Sequence, residues 1–291
     1  MEATASSLPA LRDFASLAKP RITLMVVLTA AGGMFLAPGS LPVHVTLVML
    51  VTTAAVVIAA NSLNCWLERV TDGYMRRTST RPLPAGRMEP WVAVAFGVVL
   101  GAVAVPALTL YVNPLTGLLG AIALISYVCV YTPLKRRAPS ALLVGSIPGA
   151  LPPLMGWTAA TGSIDAPGLT LFAILFFWQV PHFIAIAIYR RHEYARAGLK
   201  TIVAVRGETA AKLQALSYSG LLLGASLLLY VFKVAGVFYL ATALVLGVGF
   251  VGLVLQGFFR QDLEKWARQV FVASLLYLTA LMAVMMLDAG V

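Results

Sequence analysis

Asn64, Glu68, Asp72 and Arg76 recur every four residues in the stretch Asn64-Cys-Trp-Leu-Glu68-Arg-Val-Thr-Asp72-Gly-Tyr-Met-Arg76-Arg77-Thr-Ser-Thr-Arg81-Pro-Leu-Pro. On a helix, residues at that spacing share one face, with about 5–6 Å between Cβ atoms. Two carboxylates one turn apart can share a hard divalent cation such as Mg2+. Arg76, Arg77 and Arg81 beside them suit a phosphate ester, which guanidinium forks bind in bidentate fashion. Asn61, one turn earlier, extends the same polar face. The stretch joins the end of a strongly apolar helix to a loop dense in carboxylates and guanidinium groups, so carboxylates, metal and arginines would meet at a membrane surface. Polar groups at that depth are costly and usually functional. The chemistry they suit is that of a phosphorylated lipid.

A second constellation lies in Gln179-Val-Pro181-His182-Phe and Tyr189-Arg-Arg-His192-Glu193-Tyr194-Ala-Arg196-Ala-Gly198-Leu-Lys200. Gln179 and His182 sit inside an apolar run, where polar side chains are expensive. Glu193 is a candidate metal ligand. His192 is either a further ligand or an interfacial residue. A third, shorter group is Tyr131-Thr-Pro-Leu-Lys135-Arg136-Arg137, in which the cations either anchor the topology or contact an anionic substrate.

The elements that must carry these residues are membrane helices. Only 11% of the 291 residues are charged and 60% are hydrophobic, against roughly 25% charged in ordinary soluble domains. The mean hydropathy is +0.90. The apolar residues come in runs near 20 rather than in alternation, which speaks for helices and against a β-barrel. The expected fold class is therefore all-α: a polytopic bundle of about nine transmembrane helices. The approximate spans are 22–38, 46–65, 91–111, 115–132, 139–160, 168–189, 212–232, 235–257 and 270–288. The first run follows Lys19-Pro-Arg21, and at about 17 residues it exceeds a usual signal-peptide core and reads as a retained span. Gly145-Ser-Ile-Pro148-Gly149-Ala-Leu-Pro152-Pro153 is rich in helix-weakening residues and suggests a bent helix lining a cavity. Cys65 and Cys129 have no metal-binding spacing and read as small apolar core residues.

Charge orients the bundle. Of the 21 Lys and Arg, all but Lys233 precede span 1 or follow or border spans 2, 4, 6 and 8. The positive-inside rule puts the N-terminus and those loops in the cytoplasm, and an odd span count puts the C-terminus outside. The whole chain, 1–291, then reads as a single transmembrane domain in the cell (inner) membrane. It has a cytoplasmic N-terminal segment at 1–20 and cytoplasmic cap loops at 66–90 and 190–211. The net charge of +10 is largely this topology signal and not a nucleic-acid footprint, since no such binding motif is present. Walker A, GxSxG and HExxH motifs are absent, which argues against an ATP-driven pump, a serine hydrolase and a zincin. The other spans hold almost no Asp or Glu, whereas a proton-coupled transporter would more often place an acid at the midplane.

With these motifs in hand, the chain resembles the UbiA superfamily of intramembrane prenyltransferases, and within it the protoheme IX farnesyltransferase (heme O synthase) branch. Four stretches carry the resemblance: Lys19-Pro-Arg-Ile-Thr; Asn64-x3-Glu68-x3-Asp72 with Arg76-Arg-Thr-x2-Arg81-Pro-Leu-Pro-x-Gly86-Arg; Tyr131-Thr-Pro-Leu-Lys-Arg-Arg with Gly149-Ala-x-Pro-Pro-x-x-Gly156-Trp; and Trp178-Gln-x-Pro-His-Phe with Tyr194-x3-Gly198. The resemblance implies helices around a central cavity, with two acidic motifs facing each other under cytoplasmic cap loops. It implies transfer of a farnesyl group from farnesyl diphosphate to a vinyl carbon of protoheme IX (heme b), giving heme O. Heme b is then a substrate and Mg2+ the cofactor. Asn64, Glu68, Asp72 and Glu193 match the acidic motifs, with Glu68, Asp72, Glu193 and His192 as candidate metal ligands. His192 stands where the branch usually has an acid. Arg76, Arg77, Arg81, Lys135 and Arg136 are implied contacts to diphosphate or propionate. Gln179, His182 and Tyr194 are implied substrate-binding residues, His182 either ligating heme iron or orienting the porphyrin. Implied partners are membrane lipid and a heme A synthase or terminal-oxidase assembly partner that receives the product. The competing expectations are a relative with an aromatic acceptor and a transporter or non-catalytic heme-handling protein.

Overall fold

The computed structural model describes residues 10–289. Residues 1–9 of the N-terminal segment expected in the cytoplasm, and residues 290–291 of the C-terminus expected outside, lie beyond the described residues. Among the described residues the elements are helical: α1 (Leu11–Ala18), α2 (Pro20–Leu36), α3 (Val43–Gly73), α4 (Pro90–Tyr111), α5 (Pro114–Ile125), a π-helical segment (Ser126–Tyr131), α6 (Thr132–Leu134), α7 (Ala141–Thr161), α8 (Ala166–Tyr189), α9 (Arg191–Arg196), α10 (Ile202–Val231), α11 (Val237–Leu255) and α12 (Leu263–Leu287). Proline at the first helical turn starts α2, α4, α5 and α8, where its missing N–H costs nothing and its fixed φ suits the helix. The side chains of Asn113, Asp165, Thr201 and Asp262 cap the following helices by accepting a free backbone N–H.

Seven helices are long and apolar enough to cross a membrane, and α1 with α2, bent by 47°, make an eighth when taken together. The bend falls at Lys19, whose φ of 47° is left-handed, immediately before Pro20, a position where right-handed helical backbone is disfavoured. The remaining expected span, 139–160, corresponds to α7, which lies outside that count. It is 21 residues long, but it carries Pro148, Pro152 and Pro153, and 13 of its residues are buried. It faces other helices rather than lipid. Helix-breaking residues survive there because neighbours surround the freed carbonyls. Two close contacts seat α7 against α2: Gly33 lies on the backbone of Pro153, and Gly156 on the backbone of Ala30. A side chain at either position would overlap main chain, so small residues permit the approach, as is usual between membrane helices.

Two apolar cores flank α7. One joins Met49, Val56, Leu108, Leu119 and Met155 on the side of α3 to α5. The other runs from Leu171 and Ile184 to Leu222, Tyr239, Trp266 and Leu281 on the side of α8 to α12. The outer surface is apolar as well, with Leu24, Val51, Val99, Leu110, Val245 and Leu276 exposed. That pattern suits lipid as the surrounding solvent, where helices satisfy their own backbone groups.

Two boundaries differ from expectation and both matter for the site. The second span was expected to end at 65, yet α3 continues to Gly73. It stands about 12 Å taller than the expected end, and Glu68 and Asp72 ride on a helix rather than in a cap loop. The expected loop 190–211 contains α9 and the start of α10, which breaks at Gly207 with φ 82°.

Candidate active site

The carboxylate face of α3 is buried, not solvated: Asn64 is 2% exposed, Glu68 5% and Asp72 1%. Buried charge is tolerable only when paired, and each group here has its partner. Asn64 Nδ2 donates to Glu68 Oε2 at 3.0 Å and to Thr132 Oγ1 at 3.0 Å. Lys19 Nζ donates to Asn64 Oδ1 at 3.3 Å. Glu68 is in ionic contact with Lys135. Arg81 Nη1 meets Asp72 Oδ2 at 2.6 Å, and Thr78 Oγ1 donates to the Asp72 carbonyl at 2.8 Å, folding the cap back over the helix end. Arg136 lies along α3 and donates to Thr71 Oγ1 at 2.8 Å.

Local backbone geometry explains why Thr132 and Lys135 reach α3. The six residues Ser126–Tyr131 form a π-helical turn. Thr132 donates both its N–H and its hydroxyl to the Tyr127 carbonyl, five residues back. Such wide turns re-aim side chains and are frequent at functional sites. Lys135 then lies over the Tyr131 ring at 5.2 Å. The second cap joins the same assembly, since Lys200 N–H donates to the Lys135 carbonyl at 3.1 Å. The first cap is held by α1: Arg87 Nε donates to Asp13 Oδ1 at 3.1 Å, with Asp13 3% exposed.

Burial pulls the Lys135 ammonium down to about 7, and the charges of Lys19 and Arg136 add to it; the touching Glu68 carboxylate opposes that shift.

The second expected group divides. Glu193 accepts from Arg190 Nη1 at 2.9 Å and from the Arg77 N–H at 3.4 Å. Burial raises its carboxyl, but these two donors and their charges outweigh it and hold the group below its ordinary range. Tyr194 lies among Arg77, Arg190 and Glu193, and its phenol is raised, mainly by burial. Arg76, Arg77 and Glu193 line a cavity that includes neither Glu68 nor Asp72. His192 does not join the carboxylates: its side chain is 80% exposed, and Nε2 lies 3.9 Å from Glu264 of α12. Among the described residues no three His, Cys, Asp or Glu side chains converge as a metal cage.

Gln179 and His182 lie deeper, on α8, and both clasp neighbouring helices. Gln179 Nε2 donates to the Ser146 carbonyl at 3.1 Å and packs where Gly149 leaves room. His182 Nδ1 lies 2.7 Å from Ser274 Oγ, whose single proton goes to the Phe271 carbonyl at 2.6 Å. The ring therefore carries its proton on Nδ1 and the lone pair on Nε2. Trp178 stacks on it at 4.6 Å and Phe271 lies at 4.9 Å. These clasps account for polar side chains at both positions.

Sequence reasoning places Lys19 among the topology charges and in the Lys19-Pro-Arg-Ile-Thr stretch but assigns it no role at the site, although it reaches Asn64. The Lys-Pro junction, which bends the chain between α1 and α2, was the available signal. Thr132 was overlooked too, and no sequence spacing announces a π-turn.

Hard oxygen donors paired with ammonium and guanidinium groups can bind a metal–diphosphate by exchanging partners. Magnesium in such sites takes one or two carboxylates and completes its shell with phosphate oxygens and water, without needing a full protein cage. Glu68 and Asp72 on one helix face fit that requirement.

Residues 26–276 match the model of the UbiA prenyltransferase family. A curated relative from Myxococcus xanthus, named protoheme IX farnesyltransferase, is 53% identical over 99% of this chain and 98% of its own length. One of the same name from an Anaeromyxobacter species is 50% identical over 98% of this chain and 96% of its own. Among solved structures, a digeranylgeranylglyceryl phosphate synthase superposes with a TM-score of 0.82 at 15% identity, covering 96% of this chain and 98% of that one. A UbiA homolog from Archaeoglobus fulgidus, bound to DMAPP and Mg2+, superposes at 0.69 with 18% identity, covering 94% of this chain and 99% of that one.

Proposed function

The chain belongs to the UbiA prenyltransferase family, and from that premise we propose that it transfers a farnesyl group from farnesyl diphosphate to a vinyl group of protoheme IX, giving heme O and diphosphate. The observation that carries the reading is that buried Asn64, Glu68 and Asp72 are each paired, with Lys19, Arg81, Lys135 and Arg136 around them, at one end of an apolar bundle. Four cations against two carboxylates leave a surplus of positive charge suited to a diphosphate. The names of the relatives support the acceptor.

In this reading Glu68 and Asp72 would hold Mg2+ together with the diphosphate, and Asn64 orients Glu68. Magnesium supplies charge neutralisation at the leaving group. Arg81, Lys135, Arg136 and Lys19 turn from their resting partners to the phosphate oxygens and stabilise the departing charge. Such donors act strongly where water is excluded. The C1–O bond of farnesyl diphosphate breaks, its electron pair leaving with the diphosphate. The vinyl π pair then bonds to C1. Water adds to the resulting heme-side cation and releases a proton, which gives the hydroxyethylfarnesyl side chain. The apolar walls from α2, α7 and α8 keep water from the allylic cation before the vinyl reaches it. Glu193 holds the second cap closed through Arg77 and Arg190. His192 is left out of the metal set. His182, behind Phe271, fits a wall that orients the porphyrin better than an iron ligand. The charge distribution supports a site on the cytoplasmic side of the inner membrane, and the product passes to a heme A synthase or oxidase assembly partner.

Membranes holding the protein, supplied with protoheme, farnesyl diphosphate and Mg2+, are expected to form heme O, and a chelator is expected to stop them. Equal product under chelation would remove the metal from the reading. Prenylation of an aromatic acid but never of heme would remove the acceptor.

A further inference from the structure

A cavity of about 820 Å³ opens between the two caps and α12. None of its lining residues belongs to the paired cluster on α3, and its chemistry differs. Five arginines line it: Arg76 and Arg77 from the first cap, Arg190 at the end of α8, Arg196 from α9 and Arg268 from α12. Its one carboxylate, Glu193, is already engaged by Arg190 and the Arg77 N–H. Among the described residues Arg76, Arg77, Arg196 and Arg268 have no carboxylate within ion-pair distance, whereas Arg81, Arg87, Arg190 and Arg191 do. Topology anchors need only lie on the right side of the membrane. They need not converge from four elements on one hollow.

The inner wall is aromatic. Tyr189 and Phe271 meet edge to face at 5.7 Å, and Phe271 rests on the His182 ring at 4.9 Å. A guanidinium rim above an aromatic wall suits a flat apolar ligand that carries carboxylates on one edge. The volume lies within the roughly 300–1,000 Å³ of small-molecule sites.

We infer that this cavity is the acceptor site, in which Arg268 and Arg196, with Arg76 and Arg77, bind the two carboxylates of a planar tetrapyrrole while Tyr189 and Phe271 carry its face. The inference rests on protoheme being the acceptor. Two sets of cations then have separate roles, with Arg81, Lys135 and Arg136 serving the diphosphate and the cavity arginines serving the carboxylates. The two anions do not compete. Glu193, in the cavity wall, ties the two caps through the Arg77 N–H and Arg190.

The test uses the full protein in phosphatidylcholine nanodiscs, titrated with protoheme and with its dimethyl ester by Soret absorbance. Prenyl transfer is measured in parallel with farnesyl diphosphate varied. Arg268→Gln and Arg196→Gln are each expected to weaken protoheme binding by about tenfold, the order of one charge-assisted pair. They should leave the ester's affinity and the half-saturating farnesyl diphosphate concentration unchanged. Arg136→Gln should do the reverse. If acid and ester bind wild type equally, or Arg268→Gln changes only the diphosphate dependence, the assignment of the cavity is overturned although heme prenylation stands. If the arginines hold protoheme as expected but no prenylated heme forms, the site stands and the reaction reading falls. Displacement of protoheme by anionic lipid, with no effect of Arg268→Gln, makes the groove a lipid site and overturns the inference.

Discussion

Lys135 is the residue on which the α3 cluster balances, and replacing it should separate its two roles. Its ammonium neutralises Glu68, with side-chain exposures of 21% and 7%. Lys135→Gln leaves Glu68 buried with only Asn64 as a donor. Removing one member of a buried pair costs about 3–5 kcal/mol. Partial exposure of Lys135 and the remaining Asn64 bond reduce this to about 2 kcal/mol of stability. The catalytic loss should be larger. Deleting one preorganised donor at a developing anion typically lowers kcat about 10²–10³-fold. Lys135→Arg keeps a charge, and the contrast gives a pH test. Burial and the neighbouring cations pull this ammonium down to about 7, so its charge is lost as pH rises through the alkaline side of that region. The diphosphate binds the charged form, so affinity falls as pH rises through that value. The opposing Glu68 contact places the fall at or above neutrality. Arginine stays charged throughout, so Lys135→Arg should lose this alkaline limb. The assay is prenyl transfer against farnesyl diphosphate concentration from pH 6 to 9. A Lys135→Gln protein with kcat within threefold of wild type, or a Lys135→Arg profile identical to wild type, refutes the assignment.

Two further substitutions probe the scaffold. Gly156→Ala would set a methyl group 2.8 Å from Met34 N and 2.9 Å from the Ala30 carbonyl carbon. Overpacking against main chain costs about 1–3 kcal/mol or more, so thermal unfolding in detergent should shift down, and an unshifted transition would show that α2 and α7 can separate freely. Ser274→Ala removes the acceptor of the His182 proton. A buried unpaired donor costs about 1–3 kcal/mol, so the same assay should register a loss that Ser274→Thr, which keeps the hydroxyl, largely restores.

The carboxylate face was legible in the sequence because helical spacing is a local property: Asn64, Glu68 and Asp72 declare themselves within three turns. How far α3 extends was not legible, because hydropathy marks where apolar residues stop, not where a helix stops. The nine apolar runs indicated a helical bundle, but a window of hydrophobicity cannot tell a lipid-facing helix from α7, whose prolines are sheltered by neighbours. His192 carried two readings, metal ligand or interfacial residue, and its place beside Glu193 does not separate them: adjacent helical residues point about 100° apart, and its side chain lies toward Glu264. Arg268 carries no local signal at all. It gains meaning only when α12 folds back against α8 and α9, far along the chain from Arg76.

The long reach of the α3 contacts also bears on biosynthesis. Asn64 meets Thr132 across 68 positions of the chain, and Lys135 lies further on still. During synthesis from the N-terminus, Glu68 enters the membrane boundary before its counter-ion has been made. Asp72 finds its counter-ion nine residues on, in Arg81, and Lys19 is already present to meet Asn64, whereas Glu68 waits for a helix made much later. The two acids of one helix face are thus neutralised at different stages of synthesis.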